Sequence, residues 1–140
     1  MIDQKTAPYA ALILRLATGT MFIAHGLYKV FVATIPGMMG YFESLGLPGF
    51  LVYIVILAEV IGGAALILGV ATRLVSAGLT ALLMGVVWAH AGAGWMVTGA
   101  SAGWEFPALW LAAQATLALL GSGAWALKLP VFERRLGAFA

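Results

Sequence analysis

Six ionisable side chains sit inside, or at the edge of, long apolar stretches: Arg15, His25, Lys29, Glu59, His90 and Glu105. Imidazole can donate, accept or relay a proton near neutral pH, a carboxylate can take one up, and a guanidinium or ammonium can neutralise its charge. Glu59 is the sharpest case. It falls near the middle of LVYIVILAEVIGGAALILGVATR, residues 51–73, which is long enough to cross the ~30 Å hydrocarbon core of a bilayer. A carboxylate at that depth costs roughly 2.5 to 3.5 kcal/mol on insertion scales, so it must face protein, a partner or a polar cavity. Gly62, Gly63, Ala65 and Gly69 follow it as a seam of small residues that lets another helix approach closely.

These residues need four apolar helices to position them. The first span is expected over about residues 8–32, retained rather than cleaved, with Arg15, Thr18, Gly19, Phe22, His25, Gly26 and Lys29 along one helical stripe. The Gly- and Pro-rich stretch 34–49 interrupts the helix and reads as a loop or a short interfacial helix. The second span covers 51–71. The third covers 74–91, with Ser76, Thr80, Leu83, Val87 and His90 on one face, and the fourth covers 106–121 with Gln114 as its strong polar residue. The small, uncharged run 92–103 could dip back into the membrane. The tail, 128–140, carries Lys128, Glu133, Arg134 and Arg135 and reads as a surface-lying amphipathic segment.

Composition admits few other classes. The chain has 140 residues, 64% hydrophobic and 9% charged, with mean hydropathy +1.07, which is an all-α integral membrane protein with room for one domain. Its partner is therefore the lipid bilayer. No cysteine is present, so thiol relays and cysteine-held metal or iron–sulfur centres are excluded, and no metal site is expected. The few basic residues are scattered, which argues against nucleic acid. Lys5, Arg73, Lys128, Arg134 and Arg135 fall on the side shared by both termini, against Lys29 on the other, so both termini are expected to be cytoplasmic. Trp95, Trp104, Tyr41 and Tyr53 then form the outer aromatic belt, with Tyr9 and Trp125 at the inner one.

At 1.5 Å per residue, His25 and His90 each lie roughly 25 Å across, in the outer leaflet. Lys29 is one turn further out and Glu105 opens the fourth span on that side. His25, Lys29, His90 and Glu105 are thus expected to line an outward-opening pocket with Glu59 as its floor, while Arg15 reaches up to pair with Glu59. A plainer reading stands beside each: an Arg15–Glu59 pair that only ties two helices, a snorkelling Lys29, a solvated Glu105 at a helix start, and histidines hydrogen-bonded between helices. Two imidazoles at equal depth are also a minimal haem set, but no attachment motif accompanies them. The Trp and Met residues read as packing and belt.

The order of motifs RL-ATG-TMFIAHG-LYK, YFESLGLPG and AEVIGGAALILGVATR, then a His closing the third span and GWEFP opening the fourth, resembles the DoxX-like family of small four-helix membrane proteins. The resemblance runs from about Leu12 to Leu127. Arg15, His25-Gly26, Lys29, Leu45 to Pro48, Ala58-Glu59, Gly62-Gly63 and Thr72-Arg73 carry it best. It implies a multi-pass protein of the bacterial inner membrane, related to a subunit of a thiosulfate:quinone oxidoreductase and to partners of redox-stress and aromatic-compound detoxification systems.

On that resemblance the first expectation is a redox-associated subunit whose outer pocket binds a quinone or a similar small aromatic molecule. His25 or His90 would donate to a carbonyl, Glu59 would handle the proton, and these three are the catalytic candidates. No intrinsic cofactor motif is present, so electrons would come through a soluble redox partner or a bound cofactor. Two alternatives stand beside it: a non-catalytic anchor for a soluble enzyme, working through the loops and tail, and a small-solute transporter, which with four spans would call for a homo-oligomer.

Overall fold

The computed structural model describes residues 3–96, 98, 102–127, 129, 130, 134 and 137. Five α-helices follow in order: α1 (Ala7–Phe31), α2 (Ile35–Ser44), α3 (Leu51–Leu68), α4 (Thr72–His90) and α5 (Glu105–Leu120), with a 3-10 turn at Ala91–Ala93. The stretch expected as a loop or interfacial helix is the ten-residue α2, opened by Thr34, whose hydroxyl accepts from the Gly37 amide at 3.3 Å. Three helical runs, Ala7–Phe31, Leu51–Leu68 and Thr72–Ala93, are long and apolar enough to cross a membrane. The fourth expected span, α5, has 16 residues and reaches only about 24 Å, short of a ~30 Å core. Most of the amphipathic-tail reading, including Lys128, Glu133 and Arg135, lies outside the described residues, as do Val97, Gly99, Ala100 and Ser101 of the run thought to dip into the membrane.

The four longer helices close a ring in which α1 packs on α3, α3 on α4, α4 on α5, and α5 back on α1. Phe22, Leu66, Leu79, Leu83, Trp110 and Leu117 fill its axis. In lipid, close packing rather than water exclusion holds such a core. The α1–α3 pair makes the tightest approach: a methyl on Gly19 would lie 2.8 Å from the Gly63 carbonyl oxygen, and one on Gly63 would lie 2.6 Å from that of Gly19. Gly62 turns instead to α4, where a Cβ would meet Leu79 at 3.1 Å. The small-residue seam after Glu59 is therefore divided between two neighbours. Its last member, Gly69, is the left-handed cap of α3 (φ 76°), and a side chain there would overlap the Arg15 guanidinium.

Arg15 corrects the expected pairing with Glu59. It is 1% exposed, and its Nη1 donates to Ser122 O (2.9 Å) while Nη2 donates to Ala124 O (3.1 Å) and Trp125 O (3.3 Å). The reason is register. With Gly19 against Gly63 in an antiparallel pair, Arg15 is level with Gly69 at the end of α3, ten residues and about 15 Å from Glu59. The same end is tied by Ala124 N to Pro8 O and Leu127 N to Leu68 O, both 2.9 Å, and by Tyr9 edge-on to Trp125 at 6.4 Å.

Candidate functional site

Lys29 is the partner of Glu59. It lies ten residues, almost three turns, above Gly19 on α1, and Gly26 one turn below it leaves room, since a Cβ there would sit 2.7 Å from Val60 and 3.4 Å from the Glu59 Cβ. The ammonium straddles the carboxylate, with Nζ 2.7 Å from Oε1 and 2.8 Å from Oε2. The side chains are 15% and 3% exposed. The charges cancel, so this corner of the bundle is polar without a net charge.

The pair borders a cavity of about 560 Å³ at the end of the bundle remote from Arg15. Met38, Tyr41 and Phe42 of α2 with Leu45 just after it form one wall, Ile54 and Val55 of α3 and Ala81, Gly85, Val86 and Trp88 of α4 form the sides, and Phe106 and Trp110 of α5 form the back. His25, Lys29, Glu59 and His90 supply its polar groups. Of the six residues expected to bind a ligand, four thus converge. Arg15 is at the other end of the bundle, and Glu105, the first residue of α5, is not part of the lining; its amide donates to Trp95 O at 3.0 Å and so helps close the α4–α5 connection.

The two imidazoles differ. The His90 Nδ1 is 2.9 Å from Val86 O. A carbonyl can only accept, so Nδ1 carries a proton, and in the tautomer with its single proton there Nε2 is an acceptor. His25 stacks obliquely on Trp110, with ring centroids 5.0 Å apart, and makes no hydrogen bond among the described residues. Both its nitrogens remain available.

Sequence reasoning assigned the tryptophans to packing, and Trp110 is the residue it missed. This ring holds Phe22 at 4.5 Å, His25 at 5.0 Å and Phe106 at 5.9 Å, and it lines the cavity. It is 6% exposed, and its Nε1, a donor that normally finds a partner when buried, has none among the described residues. Its spacing to Gln114, one turn on along the same α5 face, was the available signal. Thr72, Ser76 and Gln114 are likewise buried, with side-chain polar atoms unpartnered among the described residues, whereas Thr18 and Thr80 bond back to the carbonyls of Leu14 and Ser76.

Residues 10–92, which hold α1 from its fourth residue through α4 and with them Arg15, His25, Lys29, Glu59 and His90, match the DoxX family. The chain belongs to the DoxX family. It is a membrane protein on the strength of that family and its long apolar helices. The chain is also similar to a Bacillus subtilis (strain 168) protein named "Putative oxidoreductase CatD", with 36% identity over 83 residues. That match covers 59% of this chain and 60% of the relative, so this DoxX protein aligns with less than two thirds of the relative's length. No solved structure matches it.

Proposed function

We propose that this DoxX protein is a quinone-interacting, redox-associated subunit of the bacterial inner membrane, with four spans, both termini cytoplasmic and its cavity in the outer leaflet. The cavity carries the reading: an aromatic and aliphatic chamber of about 560 Å³ into which only a few polar groups converge. That is the usual design of a small-molecule site, with apolar walls for affinity and sparse polar groups for orientation. Because Lys29 and Glu59 neutralise each other, the chamber suits a neutral head with oxygens at its rim better than an inorganic anion.

The polar groups match both forms of such a head. His25 can donate to a quinone carbonyl, and His90, with Nδ1 held by Val86, can accept from a quinol hydroxyl. The Lys29–Glu59 pair lies beside them to receive or return a proton. Electrons are assigned to a redox partner, which fits a relative named as an oxidoreductase.

The test is binding of a benzoquinone analogue to the protein in nanodiscs, followed by quenching of tryptophan fluorescence. Saturable quenching that weakens in His25→Leu and His90→Leu supports the reading. A folded wild type that never saturates refutes it.

A further inference from the structure

The cavity is not sealed toward the lipid. Ile54 on α3 and Trp88 on α4 line it and are each 56% exposed at the outside of the bundle. Between them on α4 the lining residues are Ala81 and Gly85, both exposed, and a Cβ added at Gly85 meets nothing within 4 Å. The helices α3 and α4 are held together lower down, where Gly62 takes Leu79. Above that contact Ile54 of α3 and Ala81, Gly85 and Trp88 of α4 both line the cavity and are exposed at the outside, which marks a sideways gap between the two helices. Both helices are long and apolar enough to cross a membrane, and in that setting the gap faces the lipid.

Resting on the quinone reading above, we propose that the cavity is loaded sideways through this gap, and that its ligand carries a hydrocarbon tail which stays there, over Ala81 and Gly85, once the head has reached the polar corner. Lys29 and His25 reach the chamber from α1, which packs on α3 and α5, whereas Glu59 and His90 belong to α3 and α4, the two helices that flank the gap. A head held by His25 on α1 leaves whatever is attached to it the apolar side of the chamber at Gly85. His25 and Lys29 at the inner wall suit a polar head, and the apolar Ile54, Ala81 and Gly85 at the gap suit a saturated or isoprenoid chain. A water-soluble aromatic would use the first feature and waste the second.

The test compares two probes in nanodiscs, tail-less 2,3-dimethoxy-5-methylbenzoquinone and its decyl-tailed counterpart, on wild type, Gly85→Ala and Gly85→Leu. Filling the gap with leucine should weaken the decyl probe by about tenfold while the tail-less probe changes by less than about threefold, and alanine should be close to wild type for both. Equal weakening of the two probes by Gly85→Leu, or no weakening of the decyl probe, overturns the sideways route. If the tail-less probe still binds wild type in that case, the quinone reading stands without it; if the tail-less probe never binds wild type, both fall. A second measurement leaves the gap unfilled. A decyl tail brominated at its far end should quench more fluorescence than the plain tail, and Trp88→Phe should remove the difference; no extra quenching in wild type also overturns the proposal.

Discussion

Removing the ammonium of Lys29 should cost more stability than removing the charge of Glu59, and removing both should cost less than either. Loss of one partner of a buried pair typically costs about 3 to 5 kcal/mol, because the survivor is left charged in a poor solvent. Glu59, with a side chain 3% exposed on a short stem in the middle of α3, cannot carry its charge outward, so Lys29→Met should fall in that range. Lys29 is 15% exposed and only two residues from the end of α1, and its long stem can carry an orphaned ammonium outward. Glu59→Gln should therefore cost less, roughly 1 to 3 kcal/mol. The combined Lys29→Met/Glu59→Gln protein has neither charge and should lie within about 1 kcal/mol of wild type, giving a coupling energy of at least ~2 kcal/mol. Reversible unfolding by SDS titration of the detergent-solubilised protein, read by circular dichroism, supplies all four corners of the cycle. Additivity to within about 0.5 kcal/mol would show that the two groups do not act as a pair, and the neutral character assigned to the chamber would fall with it.

Three further outcomes follow from the packing. Gly63→Ala, which sets a methyl 2.6 Å from the Gly19 carbonyl, should destabilise by about 1 to 3 kcal/mol and Gly78→Ala, in open space, by none; equal thermal shifts for the two would contradict the close α1–α3 approach. Arg15→Gln gives up the charge-assisted bonds to Ser122, Ala124 and Trp125, so the segment after Leu120 should become sensitive to protease and stability should drop by about 3 kcal/mol; an unchanged cleavage pattern would argue against the clamp. Gln114→Leu removes a fully buried amide whose oxygen and nitrogen are both unpartnered among the described residues, and should raise stability by about 1 kcal/mol in the SDS titration; a loss of that size would mean the amide is satisfied by bound water.

Depth along a helix was legible in the sequence, and direction around the bundle was not. Counting residues put His25 and His90 at one level with Lys29 one turn further out, and the structure brings all three to one cavity with Glu59. The partner of Glu59 could not be counted in the same way, because choosing between Arg15 and Lys29 requires the antiparallel register of α1 and α3, set by the Gly19–Gly63 contact. The acceptors of Arg15 are backbone carbonyls, which every residue carries, so no side chain marks them. Trp110 was passed over because an indole in an apolar span looks like any packing residue until its nitrogen is seen to be buried without an acceptor. Gly62 and Gly63, adjacent in the chain, point about 100° apart on a helix, which is why one seam serves two neighbours.

The clamp at Arg15 also has a place in time. The guanidinium is made with the first helix, and its acceptors are 107 to 110 residues further along the chain. At 5 to 20 residues per second a ribosome needs roughly 5 to 20 s to supply them. Throughout that interval a cation destined to be 1% exposed has no partner, and the first helix cannot settle where it will finally sit. Completion of the last turn past α5 is then the event that lets it do so. A chain that stops short is left with a bare arginine in its first span, where an unpaired charge is costly.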